Sequence, residues 1–369
     1  MKKLYVFNPE HDLVLAEEKQ GRGMTPPKAA RLLRRDLGFL PAFMARDGDW
    51  VMVDDVTVAR QASAPFAEFL PEVRWVTPSE VERMPTKEKK HVTCHPWGWD
   101  EDVRNQLLRV GMSEWMMPTQ RDLVNLRQLS HRASTIGLLE DMVKTHRQAI
   151  GERKEVTHPD EVKTLIRQWN GGVIKAPWSS SGRGVRFVGE TLTQNEEGFI
   201  RRVLEQQKSV IVEPRYVCIL NFALEFSVRE YGIVPLEGIS VFSNAGAAYT
   251  GNLLASEEEK RSMLEKHVDA LTMLDITYRI HLWLNKMTLD VPGYYPVNLY
   301  HRLFKGPVGV DMMLVQTADG IRIHPCVEVN FRCTMGHVAL HVGQRTKGKF
   351  RSMAIKYEDE HYSLILQEN

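Results

Sequence analysis

Four residues near the C-terminal end, Asp311, Glu328, Asn330 and Arg332, have the types and spacing to bind ions and phosphate. Asp311 stands in the apolar run Gly309-Val-Asp-Met-Met-Leu314. Glu328-Val-Asn330-Phe-Arg332 closes a second run, with the turn residues Ala318-Asp319-Gly320 between them. Two such runs around a glycine turn predict a hairpin over 308–315 and 321–329. Strand side chains alternate faces, so Glu328, Asn330 and Arg332 share one face, and Asp311 on the neighbouring strand can share it too. Two carboxylates and an amide oxygen are hard ligands, the set magnesium takes alongside water and substrate phosphates. A solvated edge hairpin would show the same alternation, so the pattern needs company.

The stretch Val173-Ile-Lys-Ala-Pro-Trp-Ser-Ser-Ser-Gly-Arg-Gly-Val185 supplies it. A Walker A loop puts its lysine after the glycines, at the mouth of a helix. Here Lys175 comes first, at the end of Gly172-Val-Ile, and a second apolar run, 185–188, follows the loop. That order predicts a lysine on a strand and a small-residue loop leading into the next strand. Serine and glycine in such a loop let backbone amides approach phosphate oxygens closely. Farther on, Glu213 ends Val210-Ile-Val, and Glu225 lies within Leu224-Glu-Phe-Ser-Val228.

In this order the pieces resemble the ATP-grasp superfamily, over Leu129 to Val342. The resemblance implies two antiparallel lobes that clamp ATP, with magnesium, or manganese as a substitute. It implies that Lys175 contacts the nucleotide phosphates and that Ser179, Ser180, Ser181, Gly182, Arg183 and Gly184 form a lid over them. Glu213 resembles the hinge residue whose surroundings read adenine. Glu225 resembles the acid that holds ribose hydroxyls in D-alanine–D-alanine ligases. Asp311, Glu328 and Asn330 resemble the magnesium ligands, and Arg332 a residue used on the transferred phosphate or acyl phosphate. Where the family often has an Asp-Lys pair ahead of the clamp, this chain has Ser130-His131-Arg132. Arg132 would take over the phosphate contact, since arginine is always charged and binds phosphate as a fork; a plain surface arginine is the alternative. The implied reaction is activation of a carboxylate as an acyl phosphate for attack by an amine. A small-molecule kinase and a nucleotide-binding module without turnover are the alternatives.

The elements that must position these residues are legible in outline. A strand over 4–7 runs into the polar turn Asn8-Pro-Glu-His-Asp12, Thr25–Leu33 reads as a capped helix, and 50–53 and 91–94 read as further strands. Short strands alternating with helical stretches predict an open α/β domain over 1–118. Asp122–Ile150 reads as one long amphipathic helix, and Glu257–Met287 as largely helical. The resemblance divides the remainder into a small lobe with the lid, 119–212, and a C-terminal lobe with the metal ligands, 213–369, both α+β. In open α/β sheets ligands bind beyond the carboxyl ends of the strands, so Glu10, His11 and Asp12 either touch substrate or form an ordinary polar loop. Trp97 and Trp99 line a cleft or pack between domains. His324, Cys326, Cys333 and His337 cluster, but their spacing does not fit the usual zinc sites.

At 369 residues the chain is long enough for two or three domains. A net charge of +1 provides no global field for nucleic acid or an anionic membrane, so phosphate chemistry must come from local groups. The expected partners are small-molecule carboxylates and amines, without nucleic acid or membrane. No apolar run is long enough to cross a bilayer. Without a recognisable secretion signal, the four cysteines predict reduced thiols and a cytoplasmic protein.

Overall fold

The computed structural model describes residues 1–17, 25–179, 184–229, 234–288 and 304–368. Its first sheet is parallel, formed by β1 (Lys2–Val6), β2 (Trp50–Met52), β3 (Arg74–Val76) and β4 (Val92–Pro96) in the order β3-β2-β1-β4. The helices between these strands cover both faces, which is why Leu4, Val51 and Val92 are all buried in a short parallel sheet. Because β1 and β4 are adjacent and parallel, with Val6 opposite Pro96, the turns that follow them emerge side by side.

The second sheet is antiparallel: β5 (Lys154–Val156), β6 (Gly172–Lys175), β7 (Val185–Val188) and β8 (Val210–Glu213), in the order β5-β8-β6-β7. Ile174, Val210 and Val212 face a core made with the helices 159–168 and 194–207. The opposite face carries Lys175 and Glu213. Val173 pairs with Glu213 and Lys175 with Ile211, so the lysine and the glutamate are diagonal neighbours across the ladder.

The third sheet has seven strands in the order β13-β12-β9-β10-β11-β14-β15. Its members are β9 (Val217–Val228), β10 (Leu236–Ala245), β11 (Ala248–Leu253), β12 (Gly306–Thr317), β13 (Gly320–Asn330), β14 (Phe350–Glu358) and β15 (His361–Glu368). Phe222, Leu224 and Phe226 of β9 lie opposite Met312, Val310 and Val308 of β12, giving a continuous apolar face. That face shares one core with Ile276, Ile280 and Leu284 of the helix 270–288.

The predicted α/β-then-α+β class is what the chain adopts, and the predicted hairpin is β12–β13. Two helical stretches differ from expectation. Asp122–Ile150 is not one helix: it is the helix 120–129, a 3-10 turn over 132–135 and the helix 136–145. The break draws Arg132 out of register, with its backbone N–H donating to Pro177 O at 3.2 Å. Glu257–Met287 is likewise split, and Asp269 caps the second piece by accepting from Thr272 N at 2.9 Å. The first helix expected from Thr25 begins at Lys28, with no side-chain cap. Among the described residues, no helix is long and apolar enough to cross a membrane.

Candidate active site

The polar face of the third sheet is laid out in two rows. Across β9, β12 and β13, Ala223 pairs with Asp311 and Asp311 with Glu328, while Glu225 pairs with Gly309 and Gly309 with Asn330. Paired residues in an antiparallel ladder point to the same side, so Asp311, Glu328 and Asn330 share one surface, as their spacing predicts. Asn330 Nδ2 donates to Asp311 Oδ2 at 3.2 Å. Burial, then the Glu328 and Glu225 carboxylates, push Asp311 up to about 7. A carboxyl crowded by two others is poised to exchange its proton for a cation. Among the described residues there is no cluster of three or more His, Cys, Asp or Glu arranged to hold a metal. Two carboxylates and an amide fit magnesium held partly by phosphate oxygens, the manner in which that ion is usually bound.

Glu225 is set deeper than the resemblance implies. It is 1 % exposed, and its oxygens accept from Ser240 Oγ at 2.7 Å and Thr334 Oγ1 at 3.0 Å, with His337 Nδ1 at 2.9 Å. Gly309 and Gly336 make room for it: a Cβ at Gly336 would lie 1.8 Å from Glu225 Oε1. Despite burial, the His337 charge and these hydrogen bonds hold the carboxyl below its usual range. With both oxygens hydrogen-bonded inside the fold, Glu225 lies beneath the surface.

On the second sheet, Lys175 Nζ donates to Glu213 Oε2 at 2.6 Å. Arg153 Nε donates to Glu213 Oε1, also at 2.6 Å. All three are buried, at 7 %, 2 % and 3 % exposure for Lys175, Arg153 and Glu213. Burial alone would raise Glu213, but Lys175 and Arg153 bring it down to about 2. Burial lowers Lys175 against the pull of Glu213. Glu213 therefore anchors two cations, a task its position at the end of an apolar run does not reveal. Arg153 was missed entirely in the sequence, and the reason lies on β13. Pro325 has no N–H for the ladder and a bulge forms there: the register jumps from Asp311–Glu328 to Met313–His324. The carbonyls of Cys326 and Val327, without register partners, accept from Arg153 Nη2 at 3.0 and 2.6 Å.

Arg132 joins the two sheets. Its Nη1 donates to Ala176 O at 2.5 Å and Ser179 Oγ at 2.9 Å, and its Nη2 to Glu328 Oε1 at 2.7 Å. It is 6 % exposed, and its buried Nε has no hydrogen bond among the described residues. The alternative of a surface arginine is thereby set aside. Of the expected lid, Ser180, Ser181, Gly182 and Arg183 fall outside the described residues. Ser179 and Gly184 form its base, where a Cβ at Gly184 would meet Ser179 Cβ at 2.2 Å. Trp178 fixes the entry to the loop, with Nε1 donating to Arg127 O at 2.9 Å and the Arg127 guanidinium stacked 4.0 Å from a ring centroid.

Arg332 pairs with Asp12 of the N-terminal turn at 2.9 Å. Although burial works against it, that guanidinium holds the Asp12 carboxyl below its usual range. His11 and Asp12 border the same narrow cleft as Ser179, Glu328 and Asn330. His11 and Asp12, which open the short helix His11–Ala16, thus lie beside these residues. His324, Cys326, Cys333 and His337 form no metal cluster among the described residues. His324 is fully buried, edge-on to Tyr216 at 5.7 Å, and burial drives it down to about 3.

No protein-family model matches the chain, and a search of curated proteins found no match either. Solved structures do match. Biotin carboxylase from Campylobacter jejuni, solved with an ATP analogue, is 10 % identical; the match covers 94 % of this chain and 70 % of that one, with a TM-score of 0.53. D-alanyl-alanine synthetase A from Vibrio cholerae is 14 % identical, over 95 % of this chain and 94 % of that one, at a TM-score of 0.46. N5-carboxyaminoimidazole synthetase from Staphylococcus aureus, solved with ADP, is 9 % identical, over 96 % and 82 %, at 0.47. Identities this low speak to architecture alone. In architecture the chain has the ATP-grasp fold, with a parallel four-stranded sheet followed by two antiparallel sheets.

Proposed function

We propose that the protein is an ATP-dependent ligase that activates a carboxylate as an acyl phosphate for attack by an amine, releasing ADP and phosphate. The observation that carries this reading is the position of Arg132, which binds the root of the small-residue loop through Ser179 and a candidate metal ligand through Glu328 at 2.7 Å. Phosphoryl transfer asks the protein for positioning and charge neutralisation more than for covalent chemistry. Lys175, held at the end of β6 by Glu213, faces the phosphates of ATP, and Arg132 lies between them and the third sheet. Arg332, aimed by Asp12, meets the transferred phosphate. Magnesium, held by Asp311, Glu328 and Asn330, would neutralise charge between the terminal phosphates. Residues 119–212 and 213–369 serve as the two lobes of the clamp, and residues 1–118 present the Asn8–Asp12 turn to the second substrate.

The test is a screen of paired carboxylates and amines for phosphate release from Mg-ATP, with product analysis by mass spectrometry. The expected result is equimolar phosphate, ADP and amide. A stable phosphorylated product, with no free phosphate, would replace the ligase reading with that of a kinase.

A further inference from the structure

The roles assigned above leave out a buried His–Asp pair on the wall of the same cleft. His11 follows β1 and Asp100 follows β4, and the adjacency of those parallel strands brings them together from 89 positions apart. His11 Nδ1 lies 3.0 Å from Asp100 Oδ2, and the two side chains are each 2 % exposed. Asp100 is fixed in turn. Its Oδ1 accepts from Val103 N at 2.8 Å and its Oδ2 from Asn8 Nδ2 at 2.9 Å. Gly98 leaves space for the imidazole, since a Cβ there would lie 2.5 Å from His11 Cγ and Cδ2. With Nδ1–H given to a carboxylate, the lone pair falls on Nε2, and no hydrogen bond among the described residues occupies that atom.

Resting on the ligase reading, we propose that His11 is the general base of the amine-transfer step and that Asp100 positions it. Nε2 takes a proton from the acceptor amine as its nitrogen bonds to the carbonyl carbon of the acyl phosphate. The carbon–oxygen bond to phosphate breaks, and phosphate leaves with the electron pair. No electrons are transferred to or from a further reagent. The resulting imidazolium faces Asp100, with the Asp12 and Glu10 carboxylates on its own turn and Glu328 across the cleft. Arg332, Arg132 and Arg34 are the cations nearby, and each is already paired with a carboxylate. Among the neighbours, Asp12 is committed to Arg332, Glu10 to Arg34 at 2.7 Å, and Glu328 to Arg132 and the proposed metal. His11 is left as the base, with a carboxylate orienting its far nitrogen in the way acyl-transfer triads do.

The experiment pairs two kinds of acceptor. The twenty L-amino acids, D-alanine and succinate are offered as carboxylates with Mg-ATP. The acceptor is either one of the same amino acids or hydroxylamine, which is largely unprotonated at neutral pH and needs little help losing a proton. His11→Gln should lower amide formation by about 100-fold or more, within the usual range for a lost general base, while hydroxamate formation falls by less than tenfold. Free imidazole added to His11→Gly should restore part of the amide rate, a rescue that a packing role would not give. Asp100→Asn should lower amide formation in the same direction. Equal losses with both acceptors, or none, would overturn the assignment of His11 and leave the ligase reading standing. A wild-type protein that forms no amide with any pair would overturn that reading and this inference with it.

Discussion

Two carboxylates on different sheets, the buried Glu213 and the partly buried Asp311, have opposite fates. Glu213 is met by Lys175 and Arg153 and is held down to about 2. Asp311 is met by two more carboxylates and is pushed up to about 7. On the second sheet the carboxylate is already neutralised by the protein's own cations. On the third, His337 meets Glu225 and Arg132 meets Glu328, while Asp311 is hydrogen-bonded only by the neutral Asn330 amide among the described residues. On the proposed reading, the acidic surface receives a cation supplied from outside, and the paired surface holds a lysine at a fixed point. The difference separates structural charge from binding charge.

The sharpest way to break this comparison is Glu213→Gln. It leaves two buried cations sharing one neutral amide, and removing one partner from such a set costs about 3–5 kcal/mol. Chemical denaturation should show that loss, whereas Asp311→Asn, which relieves like-charge crowding, should leave stability unchanged or raise it above pH 7. Lys175→Ala is the intermediate case. Glu213 keeps Arg153 but loses a charged hydrogen bond, so a destabilisation of about 1.5–3 kcal/mol is expected without any nucleotide. A variant as stable as wild type would show that the Lys175–Glu213 contact is not maintained in solution.

The smallest effect is in pH. Asp311 has a folded-state value above that of an unfolded aspartate, so the folded protein binds the extra proton between the two. Its contribution to stability is therefore present below about pH 4 and is lost as pH rises toward about 7. Magnesium, which competes with that proton, should bind more tightly across the same interval. Thermal melts of wild type and Asp311→Asn between pH 5 and 8, with and without magnesium, check the sign. A metal-free wild type that gains stability over that interval relative to the variant would contradict it.

Much of this was legible in the sequence, and what was not has physical causes. Period-two alternation is enough to place Glu328, Asn330 and Asp311 on one surface, because pairing preserves the face. The lysine ahead of its loop is a local pattern too. Arg153 could not be found this way, because its importance comes from the carbonyls freed by the Pro325 bulge, on a strand more than 170 positions away. His11 was noticed only as part of a polar turn, since its partner Asp100 becomes a neighbour through parallel pairing of β1 and β4. The depth of Glu225 was not legible because a strand position tells the face but not the depth, and Gly309 and Gly336 open the depth. The hairpin of β14 and β15 was missed for a local reason: its turn, Asp359-Glu360, has positive φ at both residues, 49° and 62°, without the Asn-Gly that usually announces such a turn.

The central claim is that Asp311, Glu328 and Asn330 hold a divalent cation that bridges to ATP opposite Lys175. Titration calorimetry of ATP into wild type and Glu328→Gln, each in magnesium and in EDTA, tests it most directly. The account predicts that magnesium tightens ATP binding to wild type at least tenfold, about 1.4 kcal/mol, and that the variant loses this gain while keeping its affinity in EDTA. An undiminished magnesium effect in Glu328→Gln would contradict the claim.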